Sequence, residues 1–235
     1  MNRTVLRLAA QALFGRRRGV VLLLIPAALL LLSVLVRLLT DEEVGVEAAV
    51  GLGYTLALPL VALLAATAVL GPEVDDGSVV YLLAKPVSRH VIAVSKFAAA
   101  WAATMVLGAL PLLVAGLLLD WSQPRRALAF GVSAAVAGTV YTALFLALAA
   151  FTRHAVVIGL LFALLWEGVF GSVFAGVRWL SIGAWGREVG SDVSPLVDAA
   201  GTGLAYAVVA ATLLTAAAVW FTGDRLRSFT LRGDE

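Results

Sequence analysis

The chain contains no cysteine, which excludes disulfides, thiolate metal sites and cysteine nucleophiles. Its two histidines, His90 and His154, are far apart in sequence and form no convincing metal set. Lysine is almost as scarce: Lys85 and Lys96 are the whole complement, and neither follows a glycine-rich lead. The G-x-x-x-x-G-K-[ST] loop that cradles nucleotide phosphates is therefore absent, so this chain is not expected to bind or hydrolyse ATP itself. H-E-x-x-H and G-x-S-x-G are missing too, which argues against an intramembrane hydrolase. Charge is also sparse, at 14% of residues with a net +2. A balance this small gives no reason to expect a nucleic-acid partner.

What the chain has is apolar length. Hydrophobic residues make up 62% of its 235 positions and the mean hydropathy is +1.00, values for an integral membrane protein. With about 20 residues per span, the length fits a single all-α bundle of six transmembrane helices. The spans are expected at about 19–39, 48–71, 91–119, 127–151, 155–176 and 199–222. Before them, residues 2–15 place Arg3, Arg7 and Gln11 on one stripe with Leu6, Ala9 and Leu13 opposite, the pattern of a helix lying in the membrane interface. A cleaved signal peptide competes for this region, but the apolar run after Arg16, Arg17 and Arg18 is too long and no small-residue cleavage site is evident. Between 176 and 198, Trp179, Ile182 and Trp185 recur at helical spacing, so part of that outer segment is expected to form an interfacial helix.

Basic residues test the topology. With both termini inside, twelve Lys and Arg fall on inner segments and five on outer ones, namely Arg37, Arg125, Arg126, Arg178 and Arg187. That asymmetry agrees with the positive-inside rule. Arg37 is expected to snorkel from the outer end of the first span.

The long polar interruption in the first half is GPEVDDGSVVYLLAKPVSRHVIAVSK, Gly71 to Lys96. Pro72 can begin a turn, Gly77 breaks the chain, and Ser78 can cap a short helix whose apolar face is Val79, Val80, Leu82 and Leu83. The acids Glu73, Asp75 and Asp76 precede its positive end, Lys85 sits at its negative end, and Pro86 stops it. Ser88 then caps the helix that carries Arg89 and Lys96.

This order resembles the ABC-2 type permeases, the membrane subunits of one class of ATP-driven exporters. In that family a cytoplasmic loop after the second span reads roughly Glu-x-Glu-x-Gly-Thr, a leucine-rich short helix, Pro-Val-Ser-Arg, then Gly-Lys. Glu73, Gly77, Leu82, Leu83, Pro86, Val87, Ser88, Arg89 and Lys96 match, while Asp75, Ser78 and Ser95 replace Glu, Thr and Gly. The resemblance implies a bacterial inner-membrane, multi-pass permease that acts as a homodimer with two copies of a separate ATPase subunit. ATP and Mg would be bound by that partner. Residues 72–89 would be the coupling region, with Glu73, Asp75, Asp76, Gly77, Ser78, Leu82, Leu83, Pro86 and Arg89 at the interface.

Glu167 is the one candidate for intramembrane chemistry. A charged carboxylate facing lipid near the middle of a span costs about 2.5–3.5 kcal/mol on insertion scales, so it should face a cavity or a helix partner, or stay protonated. It can line a translocation path or serve packing through a Thr or Tyr hydroxyl. Two other functions compete with the exporter reading: a proton-coupled secondary transporter working through Glu167, and a non-transporting membrane scaffold.

Overall fold

The structure is a computed structural model that describes residues 16–39, 49–75, 89–171 and 174–228. Among these there are helices and no strands. The expected interfacial helix at 2–15 lies outside them.

The helices follow the apolar runs. Helix α1 is Arg16–Leu39. Helix α2 covers 49–75, passing through a π-helical turn at Gly53–Ala57 before α-helical Leu58–Asp75. Helix α3 is Arg89–Leu119, with a second π-helical turn at Met105–Ala109. Helix α4 is Pro124–Phe151 and helix α5 is Ala155–Phe170, whose second half, Phe162–Phe170, is π-helical. A 3₁₀ turn at Ala175–Leu180 leads to α6, Ile182–Val193, and α7 is Leu204–Ser228. Five of these, α1 to α4 and α7, are long and apolar enough to cross a membrane; α5 is apolar but shorter.

Helix α4 is the centre of the bundle, packed against α2, α3, α5, α6 and α7. Its composition explains why. Ala127, Ala129, Ala134, Ala137, Ala143, Ala149 and Ala150 are buried and let neighbouring backbones approach, which is how helices associate where lipid removes the hydrophobic drive between them. Larger groups from other helices fill the space between: Leu58 and Leu63 from α2, Ile92 and Leu112 from α3, with Tyr141 and Phe145 of α4. Helices α1 and α7 are peripheral and expose most of their apolar surface, as lipid-facing spans do.

Helices α3 and α4 approach closely at Gly116 of α3. A Cβ there would lie 3.1 Å from the Cα of Ala127, a backbone atom that cannot move aside. Gly51, by contrast, has nothing within 4 Å of such a Cβ. Gly116→Val is expected to destabilise the bundle by about 1–3 kcal/mol through overpacking, whereas Gly51→Ala leaves it unchanged or gains up to about 1 kcal/mol of helix propensity. Thermal denaturation in detergent, followed by loss of the monodisperse species, checks both; equal midpoints for the two variants would contradict the packing.

Candidate functional site

Two polar joints stand out among the described residues. The first lies at the base of the Gly71–Lys96 stretch. Pro72 does not begin a turn; α2 runs through it to Asp75. Proline has no N–H for the carbonyl four residues earlier, and membrane helices tolerate this where a neighbour supplies a donor nearby. The carbonyl so released is that of Ala68, and Lys96 of α3 reaches the one next to it. Its side chain is buried and Nζ donates to the carbonyl of Val69 at 2.7 Å. The two helices that flank the loop are thus tied directly beneath it.

The proposed interface residues divide around this joint. The backbone of Glu73 and Asp75 belongs to the last turn of α2, and Arg89 opens α3, half-buried. Asp76, Gly77, Ser78, Leu82, Leu83 and Pro86 lie outside the described residues, as do the side chains of Glu73 and Asp75. The motif identified Lys96 by its place in a pattern, and its neighbours Ala93, Ala99 and Ala100, which leave room for a buried side chain, were the signal that it points inward.

The second joint is Glu167. The segment expected as one span at 155–176 followed by an outer loop is built as two half-helices. Helix α5 rises from the Thr152–His154 turn and gives way after Gly171; α6 then packs lengthwise along α4 in the opposite direction. A Cβ on Gly183 would sit 3.4 Å from the Tyr141 hydroxyl, one on Gly186 2.9 Å from Ala137 Cβ, and one on Gly190 2.8 Å from the Ala129 carbonyl. The far end of α6 is held where Arg125 Nε donates to the Val193 carbonyl at 2.7 Å. Instead of lying across the outer surface, the helix with Ile182 and Trp185 starts beside Tyr141. Tyr141 is ten residues before the end of α4, about 15 Å along its axis and so near the middle of a ~30 Å hydrocarbon core.

A helix beginning at that depth has N–H groups with no water to take them. Glu167 takes them. Its Oε1 accepts from Ile182 N at 2.8 Å, while Oε2 accepts from Ser181 Oγ at 2.6 Å and from Gly183 N at 3.2 Å. Ser181 Oγ in turn accepts from Ala184 N at 3.1 Å, a regular N-cap. The Tyr141 hydroxyl also bonds the carboxylate, and Tyr54 of α2 donates to the Gly183 carbonyl at 2.8 Å. Negative charge at a helix N-terminus is favourable, and it is more so where water is excluded. The hydroxyl partner anticipated for Glu167 is therefore present in Tyr141 and Ser181, but its main ligands are backbone amides.

Sequence reasoning missed a second carboxylate of the same kind. Glu188 on α6 accepts from Gly201 N at 2.8 Å, Thr202 N at 3.3 Å and Gly203 N at 3.0 Å, holding the turn that starts α7. Gly201 and Gly203 have φ of 74° and 86°, which turns successive amides toward one anion. The signal was Gly-Thr-Gly just before an apolar run.

Replacement of Glu167 by Ala strands several buried donors, each worth about 1–3 kcal/mol, and is expected to abolish a stably folded protein. Glu167→Gln keeps one acceptor oxygen and should fold with a lowered midpoint. Thermal denaturation of both checks this; an Ala variant as stable as the parent would exclude the capping role.

Among known proteins, the family described as "ABC-2 family transporter protein" matches residues 38–178, well over half of the chain. The match takes in the loop, Lys96 and Glu167 and ends before α6. No curated protein matches the chain. The motif resemblance and the bundle of apolar helices agree with that match: the chain belongs to the ABC-2 family of transporter proteins, as a multi-pass membrane permease.

Proposed function

We propose that the chain is the permease subunit of an ATP-driven exporter, working as a homodimer with two ATPase subunits that dock on residues 72–89 and bind the ATP and Mg. Helices α5 and α6 together serve as the fifth of six spans, with both termini cytoplasmic in a bacterial inner membrane. The observation that carries this reading is the Lys96 to Val69 bond. It joins the helices on either side of the loop, so a push on the loop moves α2 and α3 together instead of being lost in bending one of them. In this reading Glu73, Asp75 and Arg89, whose backbones belong to those two helix ends, meet the partner together with Asp76, Gly77, Ser78, Leu82, Leu83 and Pro86 between them.

The proton-coupled alternative asks Glu167 to exchange protons during each cycle. Its carboxylate is occupied by two backbone amides, Ser181 and Tyr141, and releasing it would leave α6 uncapped. That argues for a structural use of Glu167 and for energy supplied by another polypeptide. The scaffold alternative differs only in flux.

Three variants test coupling. Glu73→Ala and Gly77→Pro should insert normally yet lose ATP-dependent export in vesicles that also contain the ATPase. Capture of the ATPase by Glu73→Ala should fall about tenfold, the worth of one charge-assisted hydrogen bond. Lys96→Met should still capture the ATPase while export falls, because the interface is intact and the lever beneath it is not. Normal export by all three would overturn the assignment. Because the chain lacks cysteine, Ser88→Cys also gives a clean topology probe; labelling only from the outer side would reverse the orientation.

A further inference from the structure

Away from both joints, a crevice of about 810 Å³ opens on the side of the bundle between α3, α4 and α7. Its volume lies within the ~300–1,000 Å³ of ligand sites. Phe97, Thr139, Val208 and Thr215 are among its walls, which are almost wholly apolar, and His90 and Trp220 close one end. From Val208 to Trp220 is twelve residues of α7, about 18 Å, against about 15 Å for one leaflet of hydrocarbon.

The closed end differs in kind from the walls. His90 stacks on Trp220 with ring centroids 4.4 Å apart. His90 Nε2 and the adjacent Arg89 Nη1 are buried, and neither has a hydrogen-bond partner among the described residues. Buried polar nitrogens without partners are costly, and more so beside hydrocarbon. Arg225 lies at the same end of α7, over the Phe151 ring, with Asp224 exposed beside it. A slot about one leaflet long and apolar along its walls, with the unpartnered His90 imidazole lining its closed end and the Arg89 cation one residue away in the chain, has the chemistry of a phospholipid site.

We propose that this crevice binds a phospholipid with an anionic headgroup, one acyl chain lying along α7 between Val208 and Trp220 and a phosphate oxygen at His90 Nε2 and Arg89. Bulk lipid touches every outward face of the protein, but this position selects by charge. It is separate from Glu167 and from the Lys96 to Val69 bond and shares only Arg89 with the proposed ATPase interface, so it is a site for a resident lipid at the edge of that interface.

The absence of native cysteine gives a direct test on the full chain. Ala216 is exposed and lines the slot, so Ala216→Cys in detergent should react with a membrane-permeant maleimide. Added phosphatidylglycerol is expected to slow labelling about tenfold relative to phosphatidylcholine of the same chain length, the worth of one charge-assisted hydrogen bond. His90→Ala in the same background should bring the two lipids to equal protection, and Arg89→Gln, which retains a neutral donor, should reduce the difference. Equal protection by both lipids in the Ala216→Cys protein overturns the proposal, as does a preference for phosphatidylglycerol that survives loss of both His90 and Arg89. Slow labelling with no lipid added would mean that protein, from this chain or a second copy, fills the slot, and that outcome overturns it as well. Native mass spectrometry of the protein with its original His90 and Arg89 gives a second reading: retained phosphatidylglycerol over phosphatidylcholine supports the site, and no preference contradicts it.

Discussion

The constraint that organises this bundle is that a helix cannot begin in the middle of a bilayer without something to receive its first amides. Each unsatisfied amide in hydrocarbon costs several kcal/mol, so α6 could not stand beside Tyr141 on apolar packing alone. Glu167 resolves this with one side chain, and the consequences spread outward. Once α6 is fixed, Trp179 in the turn before it accepts from Trp185 Nε1 and from the Tyr206 hydroxyl, which locks the 3₁₀ segment to α7. Glu188, one turn from the far end of α6, then holds the amides that start α7. This half of the protein is a chain of helix starts, each dependent on the one before it.

Much of this was legible in the sequence and some of it was not, for definable reasons. Apolar runs of 20 or more residues identify α1, α2, α3, α4 and α7 because hydropathy measures transfer into lipid, and transfer is what those helices do. Gly131, Ala134 and Gly138 form a small-residue face on α4 whose spacing marks a place for helix contact. The division into α5 and α6 could not be read in the same way. A hydropathy window sees an amide as neither satisfied nor orphaned, so a break at mid-depth and an interfacial helix look alike, and Trp179, Ile182 and Trp185 suited both. Glu167 carried the missing information, since a carboxylate at that depth demands donors; what the sequence could not supply was that they come from a helix fifteen residues on. Pro72 shows the reverse error. It reads as the start of a turn by its chemistry alone, yet the helix continues past it to Asp75.

Between membrane helices the hydrophobic effect does not choose a register, because lipid tails are as apolar as leucine. In this bundle the contacts of Ala, Gly and Leu around α4 bring helices close, while a few directional bonds decide where each one stops. Thr142 of α4 donates to Thr104 of α3 at 2.9 Å, and Trp101 Nε1 to Thr139 at 2.9 Å, pinning those two helices at adjacent turns. Lys96, Glu167 and Glu188 do the same at three depths. A structure held this way is firm at its joints and comparatively free to slide between them.

Helix α2 connects two of these joints. Near one end Val69 is held by Lys96, and near the other Tyr54 holds the Gly183 carbonyl within the cluster around Glu167. The separation is fifteen residues, about 22 Å of helix, and helices are stiff over that length. Under the proposed coupling, a displacement of the loop would reach α6 through a rod and two hydrogen bonds. The π-helical turn at Gly53–Ala57 lies beside the Tyr54 end, where a wider turn lets the rod change pitch without breaking its backbone ladder. Under the proposed coupling, the same turn that presents Tyr54 to α6 is the place where a push along α2 becomes a change in how the two half-helices meet.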